Sequence, residues 1–388
     1  MTDDRAGDHE PTAITYAEAG VDVEAGDRAV ELMRNAVTAT HGPEVLGGIG
    51  GFAGLFDATA LTRYRRPLLA TSTDGVGTKV AIAQALDRHD TIGFDLVGMV
   101  VDDIVVSGAK PLFMTDYIAC GKVVPERIAA IVRGIAEACS QVGVALVGGE
   151  TAEHPGLLGE DEYDVAGAAT GVVEADDVLG PDRVRAGDAV IAMASSGLHS
   201  NGYSLVRRVI GSAGWTLDRQ VPELGRTLGD ELLEPTRLYT TACLELTAQL
   251  RDGVHAFTHV TGGGLAANLA RVLPRGLTAT VDRSTWTPAP VFGLVAELGN
   301  VPRADLERTL NMGVGMIAIV DAESADAAVA RLGAVGLAAW VAGEITTDQP
   351  DADTHAASSA AGGEPADDVV SGTKGVDGGS VRMVGNHT

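Results

Sequence analysis

The chain has 388 residues, 45% of them hydrophobic, which predicts a globular protein of two domains. Its formal net charge of -25 excludes a nucleic-acid partner, because an acidic surface repels a phosphate backbone, and is typical of a halophilic cytoplasm. No apolar run approaches the ~20 residues of a membrane span and the acidic N-terminus lacks a signal-peptide core, so we expect a cytoplasmic protein without membrane contact.

The first half alternates helical and strand patterns. Apolar residues at helical spacing, Pro at a helix start and short apolar runs predict these elements in order: a helix at 27–40, a glycine-dense loop at 47–56, a strand at 67–72, and helices at 94–107 and 125–140 before a strand at 144–151. The polar, turn-rich stretch 171–188 places a domain boundary near Glu174. We therefore expect an α/β domain over residues 1–173.

The second half contains two strand–loop–helix units. Strands at 189–195 and 256–260 lead through the loops SGLHSNG and TGGG into helices at 203–210 and 265–273. Free N–H groups at a helix N-terminus and the helix dipole favour phosphate there. Either loop alone is equally typical of a tight connection. Together, one with His199 and Asn201 and the other with His259 and Thr261, they favour a ligand site.

Short nucleotide-binding motifs explain little of this chain. Gly262, Gly264 and Ala267 match GxGxxA, but nicotinamide binding would leave the signals of the first domain unexplained. No Walker pattern contains the lysine of the stretch DGVGTK. This residue, Lys79, is one of only four lysines, which indicates a chemical role, although a solvated lysine remains an alternative.

The helix predicted at 94–107 suggests a metal site. Projected at about 100° per residue, Asp95 and Asp102 fall on its polar side, whereas Asp103 falls inside the apolar face. A carboxylate there needs a cation or hydrogen-bond donors, so Asp103 is interpreted as a Mg2+ ligand together with Asp74. A capping or buried hydrogen-bonded aspartate is the alternative. Glu150 could be a third carboxylate or a structural turn residue.

Several motifs together resemble one enzyme family. They include GGIGGFAGL, TSTDGVGTK, LVGGETAEHPG, SSGLHSNGYSLVR, LLEPTRLY, HVTGGG and NMGVGMIAIV. Over residues 14 to about 345 the chain resembles phosphoribosylformylglycinamidine cyclo-ligase, also called aminoimidazole ribonucleotide synthetase. It departs from the family at Asp102, where the family often has asparagine, and in a long acidic segment after residue 346.

The resemblance implies a fold and a reaction. The fold is a two-domain α/β (α+β) homodimer, with paired N-terminal sheets and a C-terminal α/β substrate domain over residues 174–346. The reaction converts formylglycinamidine ribonucleotide and ATP into 5-aminoimidazole ribonucleotide, ADP and phosphate in purine biosynthesis, by phosphorylation of the formyl oxygen. Competing interpretations are a related ATP-dependent phosphorylating enzyme, such as thiamine-phosphate kinase, and a nucleotide-sensing dimer that has lost catalysis.

The resemblance and the motifs also assign site residues. The expected ATP-binding residues are Gly50, Gly51, Asp74, Gly75, Gly77, Thr78, Lys79, Asp103, Gly149 and Glu150. The expected substrate-binding residues are Ser196, Gly197, His199, Ser200, Asn201, Thr261, Gly262 and Gly263. The expected metal ligands are Asp74, Asp103 and Glu150, and the expected catalytic residues are Asp74, Lys79, Asp103 and His199. Lys79 would offset charge on the transferring phosphate.

The C-terminal region is predicted in two parts. Residues 347–380 contain seven acids and no Leu, Ile or aromatic residue, so we expect a disordered acidic insertion. Val381 and Met383 alternate with Arg382, which predicts a terminal edge strand at 381–384 within a final segment 381–388.

Overall fold

The computed structural model describes residues 20, 22–347, 368–372 and 378–388. Within these residues, no helix is both long and apolar enough to cross a membrane. The elements of the first domain are α1 (Val23–Ala39), β1 (Val45–Leu46), β2 (Leu55–Phe56), β3 (Pro67–Gly75), α2 (Val80–Leu86), α3 (Ile92–Val105), β4 (Lys110–Cys120), α4 (Pro125–Val142), β5 (Ala145–Glu153) and β6 (Tyr163–Glu174).

The first domain is built on a sheet of four described strands in the order β3-β6-β4-β5. One face is covered by α3 and α4, and α1 packs on α4. Side chains of β4 alternate accordingly, so that Met114 and Ile118 are buried under the helices while Thr115 and Tyr117 are exposed on the other face. Among the described residues, the other face of this sheet carries no helix.

Helix α4 shows how local sequence sets an element. Pro125 stands in its first turn and Gly143, in the left-handed conformation, ends it. Ile128, Ile131 and Ile135 recur at helical spacing and are fully buried, as the sequence predicts. The strand predicted at 67–72 is also present and extends to Gly75, which carries the chain to the domain junction.

The second domain begins after the turns that follow Glu174. Its described elements are β7 (Ala189–Ala194), α5 (Tyr203–Ala213), β8 (Gln220–Val221), β9 (Arg226–Thr227), α6 (Leu228–Leu232), α7 (Thr240–Leu250), β10 (Val254–His259), α8 (Gly264–Ala270), β11 (Leu277–Asp282), α9 (Pro290–Gly299), α10 (Arg303–Thr309), β12 (Val314–Val320), α11 (Ala325–Ala334), β13 (Ala339–Thr347), β14 (Asp368–Ser371) and β15 (Ser380–Val384). Both predicted strand–loop–helix units are present, as β7–α5 and β10–α8.

Seven strands of the described chain form the second sheet, in the order β10-β12-β7-β13-β11-β15-β14. Its central strands read AVIAMA and VGMIAIV and are apolar on both faces, because separate clusters of buried side chains pack on each side. The carboxyl ends of β7 and β10 lead into the SGLHSNG and TGGG loops. The sheet therefore delivers both loops to neighbouring positions.

The C-terminal region differs from expectation. The strand Ser380–Val384 pairs in parallel with β11 and buries Val381, but it does not lie at the sheet edge. Residues 368–371, which fall inside the predicted disordered insertion, form a strand that pairs with it on the outside. Local composition missed this strand, since Val369 and Val370 are the only large apolar residues nearby. Residues 348–367 and 373–377 of the predicted insertion lie outside the described residues.

The burial of the three aspartates in α3 differs from the burial that the helical projection predicts. Asp95 and Asp102 are fully buried, whereas the side chain of Asp103 is 42% exposed. The helix lies between the first sheet and elements of the second domain, including α7 and β10. Its polar side therefore faces protein rather than solvent, which a helical projection cannot distinguish.

Candidate active site

Lys79 is not placed to meet a phosphate. It lies in a short 3-10 turn after β3 and is fully buried. Its ammonium group donates to Asp95 Oδ1 at 2.7 Å, to the Glu234 carbonyl at 2.6 Å and to the His199 carbonyl at 3.1 Å. An ammonium group has three donors, and all three are used. The expected contact of Lys79 with a transferring phosphate is therefore corrected.

Asp103 meets a histidine from the other domain. His259, at the end of β10, places Nδ1 2.9 Å from Asp103 Oδ1. Burial lowers the pKa of His259, but the hydrogen bond to Asp103 and the charges of Asp102, Asp103 and Asp74 outweigh burial and raise it. Both carboxylates predicted to bind a metal therefore contribute to the raised pKa of this histidine, and Asp103 also contacts it.

Asp102 has a structural position. It accepts hydrogen bonds from the Tyr239 N–H, at 3.1 and 3.2 Å, and from Thr240 Oγ at 2.7 Å. Burial raises its pKa to about 6, although His259 and these donors oppose the shift. It thus ties the start of α7 to α3 across the domain junction.

His199 is turned away from solvent. Its side chain is buried, and Nε2 accepts the Ser196 N–H at 3.1 Å. Burial, followed by the nearby charges of His259, Lys79 and Arg237, lowers the pKa of His199 well below its usual value, so the ring is neutral. Since Nε2 accepts, Nδ1 carries the ring proton, and this buried atom has no hydrogen-bond partner among the described residues. The role of His199 in phosphate contact or proton transfer stays a prediction.

Two other loop side chains are also engaged within the protein. Ser196 Oγ donates to the Pro235 carbonyl at 2.6 Å, and Ser200 Oγ donates to the Val76 carbonyl at 2.7 Å. These hydroxyl protons are not directed at a ligand. The Gly197 carbonyl is held by Asn311 Nδ2 at 2.9 Å. These bonds tie the loop to the surrounding chain, and its backbone N–H groups other than that of Ser196 remain the candidate donors.

The two glycine-containing loops meet. A Cβ added to Gly262 would lie 3.4 Å from Asn201 Oδ1, so the tip of TGGG faces the end of SGLHSNG. Asn201 is half-buried, with Nδ2 3.5 Å from Met99 Sδ, and Thr261 and Gly263 are half-buried beside it. Close packing requires glycine at position 264, because a Cβ there would lie 1.7 Å from the Glu307 carbonyl oxygen.

Glu150 does not join the two aspartates in a metal site. Across the first sheet Asp74 is aligned with Gly167, Asp116 and Gly149, whereas Glu150 is aligned with Tyr117 in the next row. Aligned residues point to one face and adjacent rows to opposite faces, so Asp74 and Glu150 lie on opposite sides of the sheet. Accordingly, the described residues contain no group of three His, Cys, Asp or Glu that could hold a metal.

The expected ATP-binding residues fall into two groups. Asp74, Gly75, Gly77 and Thr78 follow β3, and Thr78 Oγ lies 3.2 Å from Ser204 Oγ at the start of α5. Gly149 and Glu150 lie in β5, and Gly54 of the loop that carries Gly50 and Gly51 packs on Val147 of the same strand. Strands β3 and β5 are opposite edges, about 14 Å apart at ~4.8 Å per strand.

Sequence reasoning did not select three polar residues that organise the junction. The sequence places His259 only beside a loop and Asp95 only on the polar side of a helix. Thr236 donates to Asp95 through both its N–H, at 3.1 Å, and its Oγ, at 2.6 Å. The available signal was the composition of α3, because an acid such as Asp95 in a helix that is otherwise almost entirely apolar is expected to have a buried partner.

Comparison with known proteins identifies the family. Models described as the N-terminal and C-terminal domains of AIR synthase related protein match residues 57–173 and 185–354. A phosphoribosylformylglycinamidine cyclo-ligase of Acetivibrio thermocellus is 50% identical over 335 residues, covering 86% of this chain and 98% of the relative. That of Geobacillus sp. strain WCH70 is 50% identical over 334 residues, covering 86% and 96%. The chain belongs to the phosphoribosylformylglycinamidine cyclo-ligase family.

Solved structures share the fold of this family at low identity. Thiamine-monophosphate kinase from Stenotrophomonas maltophilia K279a matches with a TM-score of 0.62 at 21% identity, over 83% of this chain and 94% of that chain. E. coli HypE, a hydrogenase maturation protein, matches with a TM-score of 0.59 at 18% identity, over 84% and 91%. The two-domain α/β architecture implied by the resemblance is thus confirmed.

Proposed function

We propose that the protein cyclises formylglycinamidine ribonucleotide to 5-aminoimidazole ribonucleotide and converts ATP to ADP and phosphate. The supporting observation is 50% identity to cyclo-ligases over 335 residues, which include both glycine loops and Asp74 and Asp103. ATP transfers its terminal phosphoryl group to the formyl oxygen. An amidine nitrogen then attacks the formyl carbon, the C–O bond breaks, and the former oxygen leaves as phosphate, a much better leaving group than oxide.

Asp74 and Asp103 fit a magnesium site. They reach the junction from a strand end and from a helix, and Asp103 is partly exposed with only one oxygen bonded to His259. Mg2+ in nucleotide enzymes is commonly bound by one or two carboxylates together with phosphates. Bound there, it would neutralise charge on the ATP phosphates. His259 orients Asp103 through its hydrogen bond.

The substrate's 5-phosphate is assigned to the loop at the N-terminus of α5. Residues 200–202 lead directly into this helix of 11 residues, whose first N–H groups and dipole favour an anion. Asn201 is the remaining side-chain donor candidate, since Ser196 and Ser200 bond elsewhere. The TGGG loop, beside Asn201, is the second choice for the same phosphate.

A homodimer through the open face of the first sheet is part of the proposal. Thr71, Thr73 and Tyr117 are exposed on this face, and Leu69 is 63% exposed at its β3 edge. An open face with exposed apolar side chains favours a partner. Leu69→Asp should shift the protein towards monomer in sedimentation velocity, whereas the matched Val335→Asp, in the second domain, should not. Equal behaviour of both variants would contradict this interface.

The reaction is tested directly. Purified protein incubated with formylglycinamidine ribonucleotide, ATP and Mg2+ should form the aminoimidazole product and ADP in equal amounts. ATP binding without product would instead support a nucleotide-sensing dimer. We further propose a cytoplasmic location, where ATP is supplied, and a salt-tolerant protein, in keeping with the charge of -25. A melting temperature that did not rise with KCl concentration would argue against the salt dependence.

A further inference from the structure

The lysine of DGVGTK joins the two domains. Lys79 and its counter-ion Asp95 belong to the first domain, and both are fully buried. The other two acceptors of the ammonium group are backbone carbonyls of the second domain, those of His199 and Glu234. One buried side chain therefore bonds to two separate segments of the neighbouring domain.

Both segments shape the loop that leads into α5. His199 has a φ of +60°, a left-handed conformation that costs a non-glycine residue energy, and its carbonyl is the one that Lys79 holds. Ser196 bonds both to His199 and to the Pro235 carbonyl, so the segment after Glu234 is tied to the same loop. Lys79 therefore joins the SGLHSNG loop, through the His199 carbonyl, to the segment that supports it, through the Glu234 carbonyl.

Asp95 completes the arrangement. Its Oδ1 accepts from Lys79 and from both donors of Thr236, which follows Glu234 and Pro235. Burial lowers the pKa of Lys79 and raises that of Asp95, and the attraction between the two charges opposes both shifts. Burying such a pair is costly, and replacing it by neutral residues is often harmless to stability. Stability alone therefore does not explain an ion pair at this junction.

We infer that Lys79, with Asp95, is a positioning residue that holds the SGLHSNG loop in the shape that binds the ribonucleotide phosphate. The inference rests on the proposed function. It assigns the effect of Lys79 to the ribonucleotide rather than to ATP, because the bonded carbonyls belong to the loop before α5 and its support. The lysine contacts neither substrate and acts through the backbone of residue 199.

The test compares Lys79→Met with the double variant Lys79→Met/Asp95→Asn, and with Lys122→Met as a matched control on an exposed lysine. Melting temperature, kcat and the KM of each substrate are measured, with calorimetric affinities for the ribonucleotide and for ATP. Lys79→Met should lower the melting temperature, since it leaves Asp95 buried without a cation. The double variant should recover most of this loss.

The kinetic outcomes separate the possible roles. We expect the KM of the ribonucleotide to rise at least tenfold in both Lys79 variants, while the KM of ATP stays within about twofold and Lys122→Met matches the wild type. A double variant that regained both stability and ribonucleotide affinity would reduce the pair to a structural role and overturn the inference. A selective rise in the KM of ATP would instead indicate that Lys79 contacts the phosphates of ATP and would overturn the inference. Failure of the wild type to form product would instead refute the proposed function, and the calorimetric affinities would still decide the inference.

Discussion

Asp74 and Asp103 are the two carboxylates proposed to bind the metal. Asp74→Asn and Asp103→Asn should each lower kcat far more than tenfold with little change in melting temperature, because a weakened cation site loses transition-state stabilisation. Steady-state rates over a range of Mg2+ concentrations measure the effect. Near-normal turnover of both variants at saturating Mg2+ would contradict the metal assignment.

The neighbouring Asp102 supplies a control for these variants. It differs from Asp103 by one position but is fully buried and bonded to Tyr239 and Thr240. An asparagine oxygen can accept the same hydrogen bonds. Asp102→Asn should therefore retain turnover close to that of the wild type.

Asp116 makes stability depend on pH. Burial raises its pKa to about 7, and its own backbone N–H offsets this only in part. A carboxyl group whose pKa is raised on folding leaves stability intact below about pH 4 and reduces it as pH rises through 7. Asp116→Asn should therefore be more stable than the wild type at pH 8 by on the order of 4 kcal/mol, and nearly equal at about pH 4.

Urea unfolding between pH 4 and 8 measures this difference. The fully exposed Asp252→Asn provides the control for a lost surface charge. A difference between Asp116→Asn and the wild type that did not grow with pH would contradict the assignment. The Cys139 thiol is the titratable neighbour, and burial, with the charge of Asp116 in addition, raises its pKa.

At the scale of elements, α3 and α4 pack through glycine. A Cβ on Gly93 would lie 2.0 Å from the Ile135 backbone N, and one on Gly134 would lie 2.2 Å from the Asp90 carbonyl oxygen. These contacts involve backbone, which cannot rotate away. Gly134→Ala should therefore lower the free energy of unfolding by about 2 kcal/mol or more, despite its higher helix propensity.

Gly26→Ala is the matched control in α1. Nothing lies within 4 Å of its added Cβ, so propensity alone should stabilise the protein by up to about 1 kcal/mol. Thermal and urea unfolding measure both variants. Similar effects of the two substitutions would show that α3 and α4 are free to separate.

The elements themselves were largely predictable, because periodicity and end signals are local. The apolar spacing of Ile128, Ile131 and Ile135 with Pro125 was enough to predict α4. What covers the polar face of a helix is decided by residues distant in sequence and therefore cannot be predicted from local patterns. Asp95 and Asp103 exchanged their expected roles because the solvent side of α3 is occupied by another domain. The surroundings of Lys79 cannot be predicted from local sequence for the same reason, since its backbone acceptors are at positions 199 and 234.

At the scale of the whole molecule, the C-terminal strands close the second sheet. Val381 and Met383 are buried beside β11, and residues 368–371 pair with them from outside. Ending the chain at Thr347 would expose β11 along a full edge and uncover these apolar contacts. Such a truncation should lower the melting temperature markedly.

Deleting residues 348–367 alone should behave differently, because both C-terminal strands are kept. Thr347 is aligned with Leu277, whereas residue 368 is aligned through Met383 with Val281. The gap is three strands across and four residues along, on the order of 20 Å. A linker of about ten glycine and serine residues reaches this distance, and loop-closure cost depends only weakly on length. Melting temperature and turnover should then stay close to those of the wild type. If this deletion and the truncation at Thr347 were equally damaging, the excised residues would themselves contribute to the fold, and if both were harmless, β15 would contribute nothing to stability.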